Sequence, residues 1–313
     1  MPIRITYINK DINEYDYSFT EITQIPNFNL VSILDYFDNQ LTTLPTFGTN
    51  INFPNLHQFF CDRNELTALP AFGTNVHFPN LQIFNCNNNQ LTLLPNNMNF
   101  PNLQEFNCSY NQLKFIPDNM NFPNLQKFYC CNNQLTLLPA LGKNMNFLVL
   151  QKFDCSRNEL TALPDNMNFP NLQTFNCSGN KLTLLPDNMN FPNLQKFNCS
   201  DNQLTLLPAF GTNMNFPNLQ IFICSNNFLT SLPDNMNFPN LQLFDCSRNL
   251  LTEQLNSFKL GKLILGNDFN LLLLQLNICK LRKFILGNDF NLLIEQLNSC
   301  KLGKFIISGS DFN

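Results

Sequence analysis

One text is written ten times along this chain, in copies of two closely similar lengths. Leu172-Gln-Thr-Phe175-Asn-Cys177-Ser-Gly-Asn180-Lys-Leu182-Thr-Leu-Leu185-Pro186 runs into Asp-Asn-Met189-Asn-Phe191-Pro192-Asn193, and Leu194 begins it again. The units start at Val31, Leu56, Leu81, Leu103, Leu125, Leu150, Leu172, Leu194, Leu219 and Leu241. The longer ones carry three extra residues after Pro45, Pro70, Pro139 and Pro208. Pro70, Pro139 and Pro208 are evenly spaced, so a block of three units reads as duplicated. A period this short confines the fold to an array. Each unit is one small element that cannot bury its apolar face alone and shelters it against the next.

Within a unit, the first, fourth and sixth positions are apolar and alternate with polar neighbours, which predicts a short strand with one buried face. Stacking turns each apolar position into a column. Phe84, Phe106, Phe128, Phe153, Phe175, Phe197, Phe222 and Phe244 make one. Phe100, Phe122, Phe147, Phe169, Phe191, Phe216 and Phe238 make a second, from the return side. The return segment from Pro186 to Asn193 has proline near both ends, too short and interrupted for a full α-helix. Turns and extended or 3₁₀ pieces are expected there.

This pattern resembles the leucine-rich-repeat family from residue 31 to about 251, with Phe in place of the second leucine and Cys in place of the third. The resemblance implies an α/β-class leucine-rich-repeat solenoid, a curved stack of short parallel strands whose convex side is mostly turns, with little regular helix. It also implies a buried asparagine ladder at Asn89, Asn111, Asn133, Asn158, Asn180, Asn202, Asn227 and Asn249. The physics agrees. The chain turns away from the strand at that position and leaves backbone donors and acceptors unmet, at roughly 1–3 kcal/mol each if buried. An amide supplies both functions.

The chain is expected to divide into three. Residues 1–30 form an N-terminal cap with a degenerate unit, in which Ile12, Tyr15, Tyr17, Ile22, Ile25 and Pro26 hold the matching offsets. Residues 31–254 carry the ten units, and 255–313 change dialect. Leu260-Gly-Lys-Leu263-Ile-Leu265-Gly266-Asn-Asp-Phe269-Asn270 recurs at Leu281 and, after the same interval, at Leu302. The Gly-x-x-Phe-Asn core at Gly266–Asn270 and Gly287–Asn291 resembles the FNIP repeat, a solenoid relative found in social amoebae and in giant DNA viruses of amoebae. The usual proline after Phe-Asn is replaced by Leu271 and Leu292. The text stops at Asn313 inside a repeat, with no polar terminal cap. That end is expected to be covered by a partner or a second copy, or else left open by a truncated gene product.

Little catalytic chemistry is visible. The only histidines, His57 and His77, fall on opposite sides of a unit, so the repeat serines lack a base. There is no Gly-rich phosphate loop. Nine cysteines, Cys61 to Cys246, share the sixth, inward position and read as small buried hydrophobes; a one-per-unit column does not converge on a metal. Cys131, in the outward seventh position, is the accessible thiol. No enzyme, cofactor or metal is expected. A net charge of −4 over 313 residues gives no field for nucleic acid or anionic lipid. No apolar run reaches signal-peptide or membrane-span length, so an intracellular protein with reduced thiols is expected.

A protein partner bound on the concave strand face is therefore the leading expectation. Most outward positions are uniform Gln, Asn or Ser. Uniformity argues for structure, whereas breaks in it argue for recognition, because aromatic and Arg side chains are favoured anchors. Tyr110, Lys127, Tyr129, Lys152 and Arg157 break it on neighbouring units. The competing expectations are a passive or self-assembling solenoid that associates through its open C-terminal end, and a ubiquitin-ligase substrate receptor. The last would need an F-box, for which the segment before Val31 is too short.

Overall fold

The computed structural model describes residues 28–251 except 45–51, 73–77, 140–146, 166, 211–215, 234–235 and 237. It also describes the backbone of 3–9, 12–19, 263–264 and 284–285. The chain forms two compact units, Met1–Leu160 and Thr161–Asn313.

The first unit opens with β1 (Ile3–Asn9) and β2 (Ile12–Phe19), which lie at the edge of its sheet. A 3₁₀ turn at Phe28–Leu30 leads into β3 (Val31–Asp35). Where the sequence suggests a degenerate parallel unit, β1 pairs antiparallel with both β2 and β3, setting Tyr7 against Tyr15 and Ile5 against Leu34. The reason is length. A parallel crossover needs a dozen or more residues, and only Lys10 and Asp11 separate β1 from β2. Ile22, Ile25 and Pro26 lie outside the described residues.

Five three-residue strands succeed β3: β4 (Gln58–Phe60), β5 (Ile83–Asn85), β6 (Glu105–Asn107), β7 (Lys127–Tyr129) and β8 (Lys152–Asp154). Each pairs parallel with the next, and the fourth positions stay opposite one another, as in Phe84↔Phe106 and Phe106↔Phe128. The register is fixed because a slip by one residue would expose every Phe.

In the second unit, β9 (Thr174–Asn176), β10 (Lys196–Asn198), β11 (Ile221–Ile223) and β12 (Leu243–Asp245) repeat the same parallel pairing. Two further parallel strands follow, β13 (Leu263–Ile264) and β14 (Phe284–Ile285). Leu263 sits opposite Phe244 on one side and Phe284 on the other. The rest of residues 255–313, with the Phe269-Asn270 and Phe290-Asn291 cores, lies outside the described residues.

Both cores are built from rings. On the strand side, Phe59, Phe84, Phe106, Phe128 and Phe153 follow one another at centroid distances of 5.0, 5.6, 5.8 and 5.5 Å. Phe175, Phe197, Phe222 and Phe244 follow at 5.5, 5.3 and 5.4 Å. These spacings exceed the ~4.8 Å between strands, so the rings are offset, the arrangement aromatic pairs prefer, worth about 0.5–1.5 kcal/mol beyond burial. On the return side Phe100 stacks on Phe122, and Phe169 on Phe191, both at 5.6 Å. The insertions after Pro70 and Pro208 each add a ring between the columns. Phe72 meets Phe84 and Phe100 edge-on at 5.7 and 5.5 Å, and Phe210 meets Phe222 and Phe238 at 5.9 and 5.1 Å.

The described return segments are turns and isolated parallel bridges such as Asn99↔Asn121 and Asn168↔Asn190. The Phe-Pro-Asn triplets form a second amide series there. In the first unit the side chains of Asn80, Asn102 and Asn124 donate to the carbonyls of Pro54, Pro79 and Pro101 at 2.6, 2.7 and 2.8 Å. In the second, Asn193, Asn218 and Asn240 do the same to Pro170, Pro192 and Pro217.

Candidate functional site

After the inward cysteine each coil must leave the strand direction. It does so at the eighth position, where every coil from the first to the tenth has φ between 52° and 64°. The asparagine that follows closes the exposed backbone. Asn111 accepts from the Leu91 amide at 2.9 Å and donates to the carbonyls of Cys86, Cys108 and Ser109 at 3.1 Å each. Asn89, Asn133 and Asn158 repeat the pattern on Leu66, Leu113 and Leu135 and on Cys61, Cys108 and Cys130. In the second unit Asn202, Asn227 and Asn249 bind Leu182, Leu204 and Leu229 and the carbonyls of Cys177, Cys199 and Cys224. Asn180 donates to Cys177 and Ser178. Asn64 belongs to the same series, bonding Leu41, Tyr36 and Cys61. The repeat register of Leu56 was the signal that could have placed it there.

The nine column cysteines are buried, and burial pushes thiols such as Cys86, Cys108 and Cys130 well up. Cys86 and Cys108 donate to the carbonyls of Asn107 and Tyr129, one coil onward. Cys131 is half-buried. Tyr36 takes the cysteine place in the first coil and is fully buried.

The strand face of the first unit separates structural from unexplained side chains. At the second position the carbonyls of Gln82 and Gln104 each receive two amides from the next coil, Gln104 with Glu105 and Gln126 with Lys127. At the fifth position Asn85, Asn107 and Asp154 each cap the amide two residues on, at 2.9–3.2 Å. The second-position bonds are made by backbone carbonyls, whereas the fifth-position side chains themselves hold backbone. Tyr129 stands in the same column and has no acceptor for that task.

All five predicted contact residues fall on the consecutive strands β6, β7 and β8 or on the turns that end them. Lys127 and Lys152 are direct partners across β7 and β8, and Tyr129 faces Asp154. Lys127 is tied to Glu105 at 2.9 Å, and that bond raises its pKa. Burial raises the pKa of half-buried Tyr129. Lys152 and Arg157 are exposed. Tyr110 is 53% exposed on the turn of the fourth coil, and Asn132 separates it from Arg157, on the turn of the sixth. Among the described residues no three His, Cys, Asp or Glu side chains form a metal-ligand group. No described helix is long and apolar enough to cross a membrane.

The family model "Leucine Rich repeats (2 copies)" matches residues 101–143, which include Tyr110, Lys127, Tyr129 and two ladder asparagines. No curated protein matches the chain. Among solved structures it is similar to YopM, a leucine-rich effector protein from Yersinia pestis. That likeness has 24% identity, a TM-score of 0.57, and covers 80% of this chain and 70% of that one. The fold is the leucine-rich-repeat solenoid. YopM from Yersinia enterocolitica is 25% identical over 83% of this chain, with a TM-score of 0.56. This chain spans only 53% of that protein's length. InlP of Listeria monocytogenes is 25% identical with a TM-score of 0.54, over 76% of this chain and 65% of that one.

Proposed function

We propose that the protein is a non-catalytic scaffold that binds a protein partner on the strand face of its first unit. Tyr110, Lys127, Tyr129, Lys152 and Arg157 make the contact. The observation that carries the reading is the division of labour on that face. At the fifth position Asn85, Asn107 and Asp154 cap backbone amides, whereas Tyr129 in the same column cannot, and the exposed cations Lys152 and Arg157 lie on the next coil. Leucine-rich-repeat folds typically serve protein interaction, and aromatic and arginine side chains are the usual anchors. The test is capture from native cell extract with the full chain as bait, compared with Lys127→Glu, Lys152→Glu and Arg157→Glu combined. Loss of the captured partner supports the reading, and unchanged capture overturns it.

A second reading, self-association, is favoured by one observation. Leu93, Phe115 and Leu137 occupy the thirteenth position of successive coils and are 47, 49 and 60% exposed. Exposed apolar side chains in one column mark contact surfaces. Association through the C-terminal end belongs to the same reading. Light scattering across a concentration series tests it, and a monomer throughout would overturn it.

A further inference from the structure

We infer that the partner presents an extended acidic segment to Tyr110 and Arg157, two residues whose strained backbone the chain itself does not explain. This rests on the strand-face reading above and adds the chemistry of the occupant.

The eighth position is left-handed in all ten coils. That conformation suits glycine and, to a lesser degree, Asn and Asp, whereas a bulky residue there is an outlier. Six coils comply, with Asp38, Asn88, Asn132, Gly179, Asp201 and Asn226. Four do not. Arg63, Tyr110, Arg157 and Arg248 hold φ of 52–54°. Arg63 has a local reason, since its guanidinium lies over the Phe37 ring at 5.3 Å. Arg248 borders residues 252–262, which lie outside the described set. Tyr110 and Arg157 are exposed, and among the described residues neither side chain makes a hydrogen bond, ion pair or ring contact. Strain retained without an internal contact points to an external one.

The surroundings specify the contact. Lys127 is neutralised by Glu105, but Lys152 beside it carries no such partner among the described residues. Arg157 and Lys152 are thus two cations without an ion pair among the described residues, on a coil that also carries Asp154 and Glu159, and an arginine fork matches a carboxylate. Tyr110 lies two coils away, about 9–10 Å at the ordinary strand spacing. Three residues of chain in the extended polyproline II conformation span about 9 Å and bring the side chain back to the same side. A segment with an apolar or aromatic side chain on Tyr110 and an Asp or Glu three residues later on Arg157 fits both.

The test uses the full chain and a fluorescein-labelled dodecapeptide, (Phe-Gly-Ser-Glu)₃, read by fluorescence anisotropy. Lysine replaces glutamate in a control peptide, and a dodecamer of deoxythymidine is the nucleic-acid arm. Tyr110→Asn and Arg157→Asn install the residue that the third and fifth coils already carry at φ 54° and 52°. Each should weaken the glutamate peptide by about tenfold, the effect of losing one anchor. Each should also raise the thermal midpoint, by about 1–3 °C, as strain is relieved. Unchanged peptide affinity in the variants overturns the inference, and so does a lowered midpoint, which would make the side chains structural. Equal binding of the lysine peptide, or a stronger loss on the oligonucleotide, overturns the acidic-peptide assignment. A wild-type chain that ignores the glutamate peptide but still captures its partner refutes the inference and spares the scaffold reading.

Discussion

The side-chain amide of Asn111 reaches back one coil to the carbonyl of Cys86, at 3.1 Å, while its oxygen receives the Leu91 amide at 2.9 Å. Removing this group leaves a buried donor and a buried acceptor without partners. Asn111→Ala should therefore cost about 2–4 kcal/mol of unfolding free energy. Asn119→Ala, which removes two exposed bonds to Asn97, should change it by less than about 0.5 kcal/mol. Urea denaturation of the two variants checks the contrast, and similar losses would refute a ladder that is energetically special.

Phe72 belongs to a three-residue insertion, yet it is 4% exposed and touches four rings. Phe72→Ala should cost about 3–5 kcal/mol, the penalty of a large core cavity. A loss below about 1 kcal/mol in the same denaturation experiment would show the insertion to be a surface loop.

Asp62 is buried where several other coils place serine, and its Oδ1 has no hydrogen-bond partner among the described residues. Burial, and then repulsion from Asp35 and Asp38, pushes its carboxyl from 3.8 up to about 6. The folded chain thus keeps a proton that the unfolded chain releases between those values. This group's stabilisation is complete below about pH 4 and is lost as pH rises through 6. Asp62→Asn should flatten that slope and add on the order of 2 kcal/mol at pH 7–8, less than the full shift implies because solvent screens part of it. Thermal melts from pH 4 to 8 decide it; a wild-type chain whose melting point climbs over that range contradicts the assignment.

The thiols should separate into two kinetic classes. Among the described cysteines, half-buried Cys131 should react with a maleimide in the native protein, whereas the nine buried ones should react only after unfolding. Peptide mapping by mass spectrometry reads this directly, and early labelling of Cys108 or Cys130 would argue against the packed column.

Much of this was legible in the residues because the repeat supplies its own alignment. The strand phase follows from the alternation around Phe106 and Cys108, and the place of the ladder from Asn111 three residues on. What escaped reading depends on neighbours that are not periodic. Nothing local says that Phe72 turns inward, since its burial is set by the gap between Phe84 and Phe100. The antiparallel hairpin of β1 and β2 was hidden by apolar offsets that suit a parallel coil equally well. The Phe-Pro-Asn amides were visible as text, but their acceptor is the previous coil's proline carbonyl, which only coordinates reveal. Of the candidate contacts, the outward phase of Lys127, Tyr129 and Lys152 was readable. The left-handed backbone beneath Tyr110 and Arg157 is advertised by neither residue type and shows only through the Gly, Asn and Asp that other coils carry at that position.

Asn80 reaches Pro54 from a longer coil and Asn102 reaches Pro79 from a shorter one, yet the two bonds measure 2.6 and 2.7 Å. The return edge therefore resets itself after each coil, whatever that coil's length. A genome that gains or loses one such module by unequal recombination hands the next coil the same footing, so array length becomes a trait that can drift without refolding its flanks. The recurrence of proline at positions 70, 139 and 208 is the scar such an event would leave.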